Sequence, residues 1–153
     1  MYILATALLV ALVSLLPQLC SANAPSPSNT PAKGSLESSA IAAKAWLEVV
    51  DRSQYAESWD KASGLMRMTI PKDEWVKLMT STRRPLGGVS SRQVLDQRVA
   101  KNPHGLPPGD YMVMYYKTAF STKPDAKELV TLYSEDGDWR VLTYQIDSSS
   151  AKK

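Results

Sequence analysis

Two arginines are the residues of this chain best suited to hold a ligand. Arg83 and Arg92 stand on either side of the corner Pro85-Leu86-Gly87. A guanidinium presents a planar fork of donors that can bind a carboxylate or a phosphate through two hydrogen bonds. The same fork can instead pair with an Asp or Glu of the protein and bond loop carbonyls. The sequence leaves both roles open and favours the structural one.

A set of tryptophans and tyrosines could form a second kind of site, an aromatic pocket. In such a pocket Tyr111, Tyr115 and Tyr133 would supply hydroxyls as convergent polar groups. Core packing between helices and sheet is the favoured interpretation of the whole set, which comprises Trp46, Trp59, Trp75, Tyr111, Tyr115, Tyr116, Tyr133 and Trp139. A carboxylate beside a tyrosine could make the pocket catalytic, and the candidates are Asp96, Asp110 and Glu128. Periodicity alone does not show that any of the three side chains points into the pocket.

Motifs of familiar enzyme classes do not occur in the sequence. His104 is the single histidine, and its loop position, Asn102 to Gly109, predicts a solvated side chain rather than a general base. The sequence contains no Gly-x-Ser-x-Gly elbow and no glycine-rich nucleotide-binding loop. We therefore expect no catalytic residue, no metal ligands and no cofactor.

The helices that would position these residues follow from apolar residues at helical spacing. Ser35 to Val50 carries one such stripe, and Asp51 to Gln54 has the spacing of a capping box that would open a second helix. Pro71 can open a third helix, which must stop before Pro85 because the residue preceding a proline disfavours helical backbone.

After Gly87-Gly88 the apolar residues recur at every second position, which predicts extended strands. Asp136-Gly137 is a strong signal for a tight hairpin between the last two of them. The four predicted strands are Val89 to Val99, Asp110 to Ser121, Lys127 to Glu135 and Trp139 to Asp147. The expected fold is α+β, with three N-terminal helices packed on a curved four-stranded antiparallel sheet that forms a half-open cone.

The N-terminal end of the chain predicts export. Residues 1 to 24 carry no charged side chain, and their apolar run of roughly 14 residues is shorter than the ~20 that span a bilayer. We interpret 1 to 24 as a signal peptide cleaved after Ala22 or Ala24, 25 to 34 as a disordered linker and 148 to 153 as a disordered tail. Lipidation at Cys20 is not expected, since Leu19 rather than a small residue precedes it. No transmembrane span is expected once the signal is removed.

The charge of the domain argues against nucleic acid as a partner. Three of the 18 basic residues, Lys33, Lys152 and Lys153, lie in the tails. The remaining 15 face 15 acidic residues within 35 to 147, so the domain is formally neutral. Binding to nucleic-acid phosphates needs a concentrated basic face. The partner is therefore expected to be a small molecule or a protein.

Short motifs in a fixed order run through the domain. They are Ala45-Trp46-Leu47, Val50-Asp51, Ser58-Trp59, Arg83-x-Pro85-Leu86-Gly87, Ser91-Arg92, Gly109-Asp110-Tyr111 and Asp136-Gly137-x-Trp139-Arg140-Val141. The set resembles a family of bacterial secreted proteins called domain of unknown function 4019, and the resemblance spans roughly residues 40 to 146. The resemblance implies an exported domain of the cystatin-like or nuclear-transport-factor-2-like α+β kind, and it implies no activity.

Three functions remain open on these grounds. The leading hypothesis is a periplasmic or secreted, non-enzymatic domain that binds a small molecule, a peptide or a partner protein. The second is an isomerase or hydratase of the cone fold that uses a carboxylate and a tyrosine. The third is a structural domain that forms a homodimer through the open face of its sheet.

Overall fold

The helices of this chain come before its strands, as the periodicity predicts. The computed structural model describes residues 34–147, so the expected signal peptide, most of the linker and the tail lie outside the described residues. Within them four α-helices are present: α1 Leu36–Asp51, α2 Tyr55–Asp60, α3 Gly64–Thr69 and α4 Lys72–Arg83. A 3₁₀ turn, Arg84–Leu86, connects α4 to the sheet.

The prediction of three helices is wrong, because the second predicted helix is two short ones. Ser63 lies between them in an extended conformation, and its hydroxyl accepts a hydrogen bond from Met66 N–H at the start of α3. The capping box predicted at Asp51 to Gln54 is also wrong. Gln54 caps α2 without a side-chain hydrogen bond, and Asp51 is the last residue of α1.

The four predicted strands are confirmed, with ends shifted by one or two residues. They are β1 Val89–Lys101, β2 Asp110–Phe120, β3 Ala126–Glu135 and β4 Asp138–Asp147. They form one open antiparallel sheet in the order β1-β2-β3-β4. The β3–β4 hairpin turns at Asp136 and Gly137, both with positive φ (53° and 81°), which is the backbone that an Asp-Gly turn of type I′ requires.

The core lies between the helices and one face of the sheet. Alternation along β2 turns Met112, Met114 and Tyr116 toward the helices, and the neighbouring strands add Val130, Leu132, Val141 and Tyr144. Trp46 of α1 fills the space above them, with its ring 6.1 Å from that of Trp75 and 5.4 Å from that of Tyr144. The aromatic side chains of the helices therefore pack the core.

Helix α1 lies over β3 and β4, and α3 lies over β4. Strand β1 forms the opposite edge of the sheet, and most of its residues are exposed. The helical layer is thus displaced toward one edge. This displacement leaves the sheet with one covered and one open margin.

Candidate functional site

Four charged side chains meet where the helices end against the sheet. We call them the charge network: Asp51, Arg83, Arg92 and Glu128. Asp51 and Arg83 are the last residues of α1 and α4, whereas Arg92 lies on β1 and Glu128 on β3. The network holds two acids and two bases, so it is formally neutral. Neutrality matters because an unbalanced charge at a buried position is strongly destabilising.

Arg92 is the bridge between the two carboxylates. Its Nε donates to Glu128 Oε2 at 2.6 Å and its Nη1 to Asp51 Oδ2 at 2.7 Å. Its Nη2 donates to both, at 3.0 Å to Asp51 and 3.2 Å to Glu128. Burial alone would lower the pKa of Arg92, but the hydrogen bonds to the two carboxylates outweigh it and raise that pKa. Arg92 is therefore a permanent cation that joins α1 to the sheet.

Glu128 is enclosed by donors. Its side chain is 0 % exposed, and it accepts two hydrogen bonds from Arg92. The hydroxyls of Thr118 and Tyr144 donate to its two oxygens as well. Burial, and then the charge of Glu128, raise the pKa of Tyr144 well above its ordinary value, so this hydroxyl keeps its proton. A carboxylate offers about four lone-pair sites, and four donors occupy those of Glu128.

Arg83 is the member of the network with unused donors. Its residue is 3 % exposed, its Nη2 donates to Asp51 Oδ1 at 2.7 Å, and its guanidinium carbon lies 4.3 Å from the centre of the Phe120 ring. Among the described residues, its Nε and Nη1 have no hydrogen-bond partner although both are buried. A buried donor without a partner costs about 1–3 kcal/mol of folding free energy. Buried polar groups of this kind store strain or are met by a bound water, ion or other ligand.

A cleft of about 760 Å³ borders Arg83. We call it the helix cleft. Its walls are the end of α1, the turn into α2, the second half of α4 and the glycine pair that follows; they include Asp51, Tyr55, Glu57, Val76, Arg84 and Gly88. Arg84 is exposed at the rim. The cleft thus combines apolar walls with a few charged groups, which is the usual make-up of a small-molecule site.

The five residues predicted to bind a ligand fall into separate places. Arg83 and Arg92 are brought together at Asp51, and Arg83 alone of the five borders the helix cleft. Tyr111 and Tyr133 pack ring to ring at 4.9 Å, at the opposite end of β2 from the charge network. Tyr115 lies on the sheet face away from the helices, 38 % exposed, with Arg98 over its ring.

The two packed tyrosines hold the loop between β1 and β2. Tyr111 OH donates to Pro107 O at 2.7 Å, and Tyr133 OH lies 3.5 Å from Pro108 O. The backbone of Gly109 lies so close that an added Cβ would sit 2.7 Å from the Tyr133 ring. The contacts of this tyrosine pair are those of a loop anchor.

The carboxylates considered for catalysis also separate. Asp96 pairs with Arg98 at 2.6 Å and Asp110 with Lys101 at 3.9 Å, in both cases at exposed positions on the sheet. Glu128 is the one of the three that lies inside the fold beside a tyrosine, and its lone pairs are taken. Within residues 34–147, no three His, Cys, Asp or Glu side chains are grouped so as to hold a metal ion.

Sequence reasoning missed Asp51 as the shared partner of the two arginines and Tyr144 as a hydrogen-bond donor to Glu128. The signal for Glu128 was available, because alternation along β3 places it on the same face as Ala126 and Val130, which are buried. A charged residue on an otherwise buried face needs a counter-charge, and Arg92 is the base that the sheet register brings near. Nothing local marks Asp51, since its role depends on where α1 ends relative to β1.

Comparison with known proteins places most of the domain in one family. The family model described as "Protein of unknown function (DUF4019)" matches residues 42–144. No curated protein sequence matches the chain at a significant level. Within residues 34–147, no helix has both the length and the apolar character to cross a membrane.

Proposed function

The chain belongs to the DUF4019 family of proteins of unknown function, and from the site itself we propose a binding domain without enzymatic activity. Its ligand is a small molecule with an oxyanion group, a carboxylate or a phosphate, held in the helix cleft. Two observations carry this proposal: Arg83 borders the cleft, and its buried Nε and Nη1 have no hydrogen-bond partner among the described residues. An oxyanion that reached them would form charge-assisted hydrogen bonds, which are about twice as strong as neutral ones.

The charges around the cleft support an anionic ligand. Asp51 is already balanced by Arg83 and Arg92, and Glu57 lies 3.4 Å from Lys61 in an exposed pair. Arg84 at the rim takes part in none of the ion pairs between residues 34 and 147 that we observe. The cationic donors that remain for a ligand are therefore those of Arg83 and Arg84.

The alternative of a carboxylate–tyrosine enzyme gains less from the geometry. A general base must direct a free lone pair at the proton it removes, within about 3 Å. Glu128 has no exposed surface and no free lone pair, and Tyr144 is held protonated beside it. The Glu128–Tyr144 contact has the features of a structural hydrogen bond, which is why we favour binding over catalysis.

The proposal also includes the location of the protein and its structural superfamily. The charge-free leader of residues 1 to 24 supports a periplasmic or secreted location, with cleavage after Ala22 or Ala24. The order of the elements, helices first and then a four-stranded antiparallel meander covered on one face, supports a place among the cystatin-like or nuclear-transport-factor-2-like domains.

The helix cleft can be narrowed by a single substitution. A Cβ added to Gly88 meets no atom within 4 Å, so Gly88→Trp should fold and fill part of the cleft. Ser90→Trp is the matched control, because Ser90 is exposed two residues along the chain and does not border the cleft. A second variant, Arg84→Gln, removes the rim cation.

The measurement is a thermal-shift screen with small carboxylates and phosphate esters, followed by calorimetric titration of the compounds that raise the melting temperature. We expect binding to the parent chain and to Ser90→Trp, and weaker binding to both Arg84→Gln and Gly88→Trp. A screen without any binder, or equal binding by Gly88→Trp, would falsify the proposal.

A further inference from the structure

The two edges of the sheet differ in how much of each strand the helices cover. On β4 the carbonyl of Val141 accepts a hydrogen bond of 2.9 Å from Ser63 N–H, and α1 and α3 pack against this strand. At the other margin β1 is the longest strand, with 13 residues. A long open edge offers a row of unpaired backbone groups to another strand, and proteins usually shorten or cover such edges.

The backbone groups that β1 presents outward can be assigned from its register. Asn102 N–H bonds Gly109 O across the β1–β2 pair, and the register continues without a break back to Asp96 opposite Tyr115. Successive residues of an antiparallel strand face the neighbouring strand and the outside by turns. Because Asn102 faces β2, the N–H and C=O groups of Gln97 and Val99 point away from the sheet.

Apolar side chains accompany this open edge. Val94 and Val99 stand opposite Tyr116 and Met112, on the face that the helices cover elsewhere, and each is 48 % exposed. Leu95, at the irregularity between Val94 and Asp96, is 53 % exposed. Scattered exposed apolar residues are ordinary, but three within one edge strand form a surface suited to a partner.

We infer that β1 pairs antiparallel with β1 of a second copy of this chain, about a two-fold axis at Gln97. The reason for choosing a second copy is charge complementarity within the strand itself. A two-fold axis at Gln97 places Asp96 of each copy opposite Arg98 of the other, so that one contact surface yields two cross-strand ion pairs. Within one copy Asp96 and Arg98 already lie 2.6 Å apart at exposed positions, so they can exchange partners without being uncovered.

The same axis satisfies the backbone. Within one copy the outward N–H of Gln97 donates to Asp96 Oδ1 at 2.9 Å, so pairing exchanges this local bond for one to the Gln97 C=O of the other copy, as a hydrogen-bonded antiparallel pair requires. Val99 then lies beside Leu95 of the other copy instead of facing water. The result is a continuous sheet of eight strands with the helices of both copies on the same side. The inference is independent of the helix cleft and of what it binds.

The test uses charge reversal and mixing. Asp96→Arg sets the introduced arginine against Arg98 across the axis, and Arg98→Asp sets two aspartates against each other. We expect the parent chain, produced from the full 153-residue sequence, to sediment as a dimer in the micromolar to millimolar range. Each variant alone should sediment as a monomer, and an equimolar mixture of the two should recover the dimer, because every introduced arginine then faces an introduced aspartate.

Mixing separates loss of pairing from loss of folding. A variant that failed to fold would not form a dimer with the other, and circular dichroism of each variant should match that of the parent. The inference is overturned if the parent chain remains a monomer up to millimolar concentration. It is also overturned if folded single variants dimerise as well as the parent, or if the folded mixture stays monomeric.

Discussion

The replacement Glu128→Gln removes one charge and almost no volume from the centre of the fold. An amide oxygen takes the place of one carboxylate oxygen, and an NH₂ group takes the place of the other. Each oxygen of Glu128 receives one Arg92 N–H and one hydroxyl. Whichever way the amide is turned, its NH₂ therefore faces an Arg92 donor. Asp51 is left as the single carboxylate for two arginines.

The expected cost can be worked from that loss. Removing one partner of a buried ion pair typically destabilises a protein by about 3–5 kcal/mol, and Glu128 is completely buried. For a domain of this size about 1 kcal/mol corresponds to roughly 4 °C, so the melting temperature should fall by roughly 12–20 °C. Urea titration followed by tryptophan fluorescence measures the free energy directly. Lys77→Gln is the control, since its exposed pair with Asp73 lies outside the charge network and β1 and should leave the midpoint unchanged.

A loss below about 1 kcal/mol in Glu128→Gln would refute the reasoning, because it would mean that the network is no better balanced with the carboxylate than without it. Equal losses in Glu128→Gln and Lys77→Gln would refute it as well. In that case a buried, fully hydrogen-bonded carboxylate would stabilise the folded state no more than an exposed ion pair does. The slope of the urea transition should stay constant, so that a change of midpoint reports stability alone.

Three further outcomes follow from named groups. Burial raises the pKa of Tyr116 to about 12. The stability that this tyrosine contributes is fully present below pH ~10, its ordinary pKa, and is lost as the pH rises toward 12. In urea titrations across that range, the free energy of unfolding of Tyr116→Phe should therefore decrease less steeply with pH than that of the parent chain. Gly137→Ala should lower the free energy of unfolding by about 1–2 kcal/mol in the same titrations, because φ is 81° there and a residue with a Cβ disfavours left-handed backbone. Gly88→Ala, with open space around the added methyl, should cost nothing. Gly109→Ala should displace the Tyr133 ring and expose the β1–β2 loop to limited proteolysis, since the added carbon would lie 2.7 Å from that ring.

The strands could be predicted from the sequence because each carries its own signal. Alternation marked all four, and Asp136-Gly137 fixed the hairpin through a backbone that glycine favours. The second helix could not be predicted correctly, since residues 55 to 69 keep helical spacing across a break at Ser63. That break depends on a tertiary contact, the hydrogen bond from Ser63 N–H to Val141 O.

The candidate site was predictable only in part. Arg83 and Arg92 were singled out as one group by their place around a turn, and the structure brings them together. The tyrosines were expected to line a separate aromatic pocket, yet alternation along β2 sends Tyr111 and Tyr115 to the sheet face away from the helices. The carboxylate partners of Arg83 and Arg92 lie on α1 and β3, far from both arginines in the sequence. No pattern within a single element could have paired them.

Arg83 joins the charge network to the helix cleft, and its geometry shows how both roles can coexist. Its bond to Asp51 uses Nη2, whereas the unpartnered atoms are Nε and Nη1. A ligand could therefore bind without breaking the contact that ties α4 to α1. Any ligand that binds the folded chain alone stabilises it, by about 2.7 kcal/mol at a hundred times its dissociation constant. Satisfying two buried donors would add a source of that binding energy which an exposed arginine lacks, because the folded chain already bears the cost of having buried them.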